Sequence, residues 1–254
     1  MRGAPFVVPA GAVPPSSPRR GGPCFVPAAR RPARLRRASG WGGRQDGPVA
    51  RYVEVHPTSP QPHAIAQVAD LLRRGAVIAY PTDSMYALGT RVGDLDGAER
   101  IRRIRHLDAA HHLTLVCADF AQLGQLVILS NSAFRAIKAA TPGPYTFILP
   151  ATPEVPRRLA HPRRRSVGVR IPDNAVAQAL LRELGEPLLS SSLLMPGAEW
   201  PLTEGWQIKE ELDDELDAVL DGGDCGTEPS TVVDWTSGEP EVVRVGAGDP
   251  DRFT

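Results

Sequence analysis

Lysine is almost missing from this chain: only Lys138 and Lys209 occur among 29 basic residues. Its positive charge is therefore guanidinium, whose planar fork suits bidentate recognition of phosphate and carboxylate. Cysteine is as scarce. Cys24, Cys117 and Cys225 are far apart and odd in number, which excludes a disulfide framework or a zinc knuckle and points to a reducing, cytoplasmic setting. No apolar run approaches the ~20 residues of a membrane-spanning helix, so no membrane partner is expected. A G-x-x-x-x-G-K-[ST] loop is lacking, which excludes a Walker-type NTPase, and no G-x-G-x-x-G follows a predicted strand. No Ser-His-Asp or Cys-His arrangement has a recognisable local context. His111 and His112 with Asp108 form a weak metal-ligand grouping. Adjacent histidines point differently on any element and no second cluster completes a shell, so no metal site is expected.

What remains is 254 residues with 42% hydrophobic and 23% charged side chains, the composition of a globular protein with a sizeable core. The net charge of zero conceals segregation. Residues 1–50 hold nine arginines and one acid, whereas residues 199–254 hold three basic and 16 acidic groups. Residues 1–50 are also rich in Pro, Gly and Ala without apolar period, and are read as a disordered extension. An organellar transit peptide, a nucleic-acid-binding tail or residues upstream of the true start also fit such a segment. Residues 51–254 are read as one α/β domain, since strand and helix patterns alternate there without a repeat or long linker.

The central stretch is Ala76-Val77-Ile78-Ala79-Tyr80, apolar or aromatic without alternation, which predicts a strand buried on both faces. It stops at Pro81, and Thr82, Asp83 and Ser84 follow. In open α/β sheets ligands sit beyond the strands' carboxyl ends, which makes this loop a candidate site. Further strands are predicted at 52–55, 113–116, 146–149, 167–171, 187–192, 218–220, 231–233 and 242–244. Helices are predicted at 65–72, ended by Gly75, and at 94–107, 130–140, 175–184 and about 204–212. Several strand ends carry the same chemistry: Thr82 and Ser84; Tyr145 and Thr146; Arg170; Ser190, Ser191 and Ser192; and Ser230 and Thr231 beside the glycine-rich 222–226. Hydroxyls, glycine-loop amides and guanidinium groups are phosphate ligands. Arg157, Arg158, Arg163, Arg164 and Arg165 form either a phosphate-tracking patch or, unless they border the site, a solvated face.

Taken in order, these residues resemble the YrdC/YciO family, which includes the threonylcarbamoyl-AMP synthases. The family's P-T-[DE]-[ST]-x-Y-x-L-G stands at 81–89, its G-P-x-T-x-x-L at 143–149 and its V-G-[VI]-R-[VI]-P at 167–172. S-T-[VI]-[VI]-D stands at 230–234 and R-x-G at 244–246. The likeness is strongest to the YciO branch, through Arg103-Ile104-Arg105, Thr114-Leu115 and 154–159. The resemblance implies a twisted open mixed sheet with helices packed on it and a concave basic face. It implies a nucleotidyltransferase reaction in which L-threonine and bicarbonate form a carbamate that attacks ATP, accompanied by Mg²⁺, to give threonylcarbamoyl-AMP and pyrophosphate for tRNA modification. On that basis Arg103 and Arg105 are expected to neutralise phosphates, Thr82 and Thr146 to hold threonine, and Ser190, Ser192, Ser230 and Arg244 to line the nucleotide. Arg170 is either a phosphate contact or a strut. Arg103 stands where the synthases have lysine, and Leu194 and Pro196 stand where the family has asparagine and serine. The alternative is a YciO-like module that binds nucleotide or double-stranded RNA without turnover.

Overall fold

The computed structural model describes residues 49–108, 111–198 and 200–253, so the extension expected over 1–50 lies outside the described residues except for Val49 and Ala50. The chain runs β1 (Arg51–Glu54), α1 (Pro62–Arg73), β2 (Ile78–Tyr80), β3 (Ala87–Arg91), α2 (Leu95–Arg105) and β4 (Thr114–Val116). It continues through α3 (Phe120–Leu126), α4 (Asn131–Ala140), β5 (Tyr145–Pro150), β6 (Ser166–Arg170), α5 (Ala175–Leu184) and β7 (Leu188–Ser192). α6 (Gly205–Leu212), β8 (Ala218–Asp221), β9 (Thr231–Asp234), β10 (Glu241–Arg244) and a 3₁₀ turn (Pro250–Phe253) complete it. The strands form one sheet in the order β1-β8-β2-β3-β7-β4-β6-β5-β9-β10. β8–β2, β4–β6 and β5–β9 pair in parallel, while β3 and β7 run antiparallel to their neighbours.

Local chemistry sets the helix limits. α1 opens on Pro62, whose missing N–H costs nothing in the first turn, and Gly75 takes φ +87° just beyond its end. Asp94 caps α2 by accepting from Gly97 N at 3.0 Å, and Asn174 caps α5 by accepting from Val176 N and Ala177 N. β3 and α3 were not predicted from the sequence. β3 is Ala-Leu-Gly-Thr-Arg, poor in β-branched residues, and is held by pairing to β2 and β7. α3 is a short helix with Gly124 in its interior, capped by Asp119, which accepts from Gln122 N.

Two apolar layers sandwich the sheet. On one face, Val77, Ala79, Leu88, Leu115, Phe147, Val169, Leu189, Val219 and Val233 meet α2, α3, α4 and α6. On the other, Ile78, Tyr80, Ala87, Leu188, Ala218 and Leu220 meet α1 and α5. These two helices cover the β1-β8-β2-β3-β7 side of their face. The β4-β6-β5-β9 side keeps its opposite surface open, and the hollow described below lies there. A Cβ on Gly89 would stand 2.9 Å from Tyr80 Cε1. Gly89→Ala is therefore expected to displace the Tyr80 ring and cost about 1–3 kcal/mol by overpacking, read as a shift in the denaturant midpoint.

Candidate functional site

Alternation along the strands builds the hollow. Thr114 and Val116, Thr146 and Ile148, Ser166 and Arg170, Ser190 and Ser192, and Val232 and Asp234 line one cavity of about 330 Å³. Their neighbours Leu115, Phe147, Val169, Leu189 and Val233 point into the core on the opposite face. Gly168 on β6 leaves the floor low: a Cβ there would meet Thr114 Oγ1 at 3.4 Å and Thr146 Cγ2 at 3.6 Å. The hollow thus lies over a sheet face and not beyond a carboxyl edge as the sequence suggested. In a mixed sheet the strand ends alternate, so no single edge gathers them.

Of the expected site residues, Thr82, Arg105, Thr146, Arg170, Ser190, Ser192, Ser230 and Arg244 all line this hollow. Arg103 does not. It is exposed on α2 and pairs with Glu215 at 3.5 Å, drawn to the acidic segment that also holds Arg100 through Asp217 at 2.8 Å. Leu193 is buried in the core and Leu194 faces solvent; neither lines the hollow.

The hydroxyls are ordered by their partners. Ser190 Oγ donates to Leu88 O at 2.8 Å, so the Tyr80 hydroxyl, 2.8 Å from Ser190 Oγ, must donate to it and keeps its own oxygen as an acceptor. Burial pushes the Tyr80 phenol up to about 12, against the opposing pull of Ser190 and Arg170, and the ring stays neutral at physiological pH. Thr82 is committed to its own turn: Oγ1 donates to Met85 O at 2.5 Å and accepts from Ser84 N and Met85 N. It walls the hollow without a free proton. Thr146 Oγ1 and Ser230 Oγ are 2.7 Å apart, and Arg244 donates to Ser230 O from Nη2 at 2.7 Å and from Nε at 3.2 Å. Gly246 allows this arrangement: a Cβ there would fall 2.0 Å from Pro229 O.

Guanidinium charge dominates. Arg170 Nη2 donates to Asp83 Oδ1 at 2.5 Å, with both side chains buried. The Nε atoms of Arg105 and Arg170, and Asp83 Oδ2, are buried without a hydrogen-bond partner among the described residues. Arg170 is thus a strut that still lines the hollow. Burial lowers the pKa of Arg105, and burial together with Arg170 lowers that of Arg244. Positive groups are thereby crowded into low dielectric, where an anion is strongly favoured. Arg164 joins the rim, held by Asp234 at 3.3 Å. His111, His112 and His161 also line the hollow, and neither they nor Tyr80 and Arg164 are among the site residues expected from the sequence. Tyr80 is hidden inside a buried strand, His111 and His112 read from the sequence only as a weak metal-ligand grouping, and His161 carries no signal of its own. Among the described residues no group of three or more His, Cys, Asp or Glu side chains could hold a metal ion, and no helix is long and apolar enough to cross a membrane.

Fold and site together define an open mixed-sheet α/β protein with an arginine- and hydroxyl-lined hollow on one face. The chain belongs to the Sua5/YciO/YrdC family: the family model Sua5_yciO_yrdC, described as Telomere recombination, matches residues 70–246. Uncharacterized protein YciO of Escherichia coli (strain K12) is 46% identical over 205 residues, which cover 81% of this chain and all of that protein. The crystal structure of E. coli YciO matches with a TM-score of 0.78 over the same shares. Threonylcarbamoyl-AMP synthase of Bacillus subtilis (strain 168) is 31% identical over 76% of this chain and 55% of its own length. P. abyssi Sua5, crystallised with L-threonine, is 28% identical with a TM-score of 0.70, covering 77% of this chain and 57% of Sua5. The chain's relatives therefore include threonylcarbamoyl-AMP synthases, and it spans little more than half of these two proteins.

Proposed function

We propose that the hollow makes an acyl adenylate of the threonylcarbamoyl-AMP type. L-threonine and bicarbonate lose water to form a carbamate. A carbamate oxygen then bonds to the α-phosphorus of ATP as the bond to pyrophosphate breaks and pyrophosphate leaves with the electron pair. The product supplies the threonylcarbamoyl group for tRNA adenosine. The observation that carries this reading is the joining of Thr146, Ser230 and Arg244 by hydrogen bonds in the same cavity as Arg105 and Arg170, each with an unpartnered Nε. Adenylyl transfer needs alignment and charge neutralisation more than a dedicated acid or base, and that is what these groups supply.

On this reading Arg105 neutralises the reacting phosphates, and Ser190, Ser192, Ser230 and Arg244 hold the nucleotide. Thr146 offers a hydroxyl to the threonine end, which Thr82 walls. Arg170 keeps Asp83 in place and adds positive potential. Magnesium enters as part of the substrate, carried on the phosphates and retaining most of its water. The test is pyrophosphate release. It is expected to require L-threonine and bicarbonate together, and release independent of either would remove the carbamate step.

A second reading, binding of RNA without turnover, is favoured by one observation: the arginine-rich 157–165 segment does border the hollow, through Arg164. Salt-sensitive RNA binding with no threonine-dependent pyrophosphate release would select it.

A further inference from the structure

The floor and rim of the hollow differ in chemistry. Thr146, Ser190, Ser230 and Arg170 are buried on the floor. The rim carries His111, His112 and His161 together with Arg164, whose side chain is 64% exposed. The rings of His112 and His161 meet at 5.1 Å. His161 Nδ1 accepts from the backbone N–H groups of Arg163 and Arg164 at 3.3 and 3.1 Å, which places the ring proton on Nε2 and leaves that nitrogen as a donor. A ligand whose nucleoside end is held by the floor hydroxyls has this rim within the same cavity for any charge not taken by Arg105, Arg170 and Arg244.

We infer that His111, His112, His161 and Arg164 form a second anion subsite, which takes the outer phosphoryl groups of a nucleoside triphosphate and gains protons as it fills. The subsite rests on the nucleotide reading above, and it gives the departing pyrophosphate a place in the hollow separate from the floor. The groups facing these rings support it. Partial burial and then Arg105, with Arg102 and Arg244, hold the His111 pKa below the ordinary histidine value, against the opposing pull of Asp108. Partial burial and then His161, His111 and Arg102 do the same to His112. Asp234, the acid beside Arg164, has Oδ1 taken by Thr236 and Oδ2 by Arg164. An anion on the rim attracts the protonated imidazoles and so opposes both the burial and the repulsion that hold these pKa values down, and they rise. Protons are taken up, and affinity grows as the pH falls through that window.

The experiment follows the histidine C2–H resonances by NMR against pH, without and with saturating sulfate, a dianion that does not itself titrate between pH 5 and 9. The His111 and His112 midpoints are expected to move up by about one pH unit or more with sulfate. Calorimetry on His111→Asn and His112→Asn is expected to show roughly tenfold weaker ATP binding and unchanged AMP binding. Midpoints that ignore sulfate, or variants that weaken AMP as much as ATP, would overturn the subsite. If sulfate lifts both midpoints while neither ATP nor AMP binds, the subsite stands as a polyanion site and the nucleotide reading falls.

Discussion

Arg105→Ala is expected to lower threonine-dependent pyrophosphate release by about 10²–10³-fold, the loss typical of removing one preorganised donor to developing charge. Arg105 is the last residue of α2, half-buried at the hollow, with an Nε that has no partner among the described residues. Because the Arg105 side chain has no ion pair or hydrogen bond to lose among the described residues, stability should change by less than about 0.5 kcal/mol. The contrast is Arg103→Ala. That side chain is exposed in a 3.5 Å pair with Glu215, worth about 0–1 kcal/mol, and its removal should leave turnover intact. Steady-state kinetics and denaturation of both variants separate the two arginines. Normal turnover by Arg105→Ala would remove it from the chemistry.

The second large effect is on stability. Arg170→Ala strands Asp83 in a buried setting where one carboxylate oxygen already lacks a partner. Removing one member of such a pair costs about 3–5 kcal/mol, whereas exchanging both for apolar residues is often neutral. Arg170→Ala should therefore shift the urea midpoint strongly, and Arg170→Met with Asp83→Leu should recover most of the loss while still lacking the positive charge at the hollow. Equal destabilisation in single and double variants would mean that the pair is not what makes Arg170 structurally necessary.

Much of the fold was legible because the core strands carry their signal locally. Residues 76–80 are an apolar run, 167–171 alternate Val, Val and Ile with Gly and Arg, and Leu188-Leu189 lead into three serines, while α5 is framed by the Asn174 cap and by Gly185 at φ +78°. β3 was not legible, because its strand character comes from β2 and β7 and not from its own residues. The hydroxyl and arginine members of the site could be listed from motifs, but their joint placement depends on strand order. β5 and β9 lie side by side, which brings Thr146 to Ser230, although 84 residues separate them. Arg103 and Arg105 look equivalent in sequence. Only the fold shows that the acidic turn near Glu215 takes one while the hollow takes the other. His111 and His112 were visible only as an adjacent pair, and the cluster was not, since His161 joins His112 across a separation the sequence does not mark.

The most direct measurement is a crystal of the full chain soaked with ATP and L-threonine. The expected result is electron density for both in the hollow, with phosphate oxygens within hydrogen-bond distance of Arg105 and the nucleoside against Ser190, Ser192 and Ser230. Nucleotide bound on another surface, with those side chains untouched, would contradict the assignment of this hollow as the site of adenylate formation.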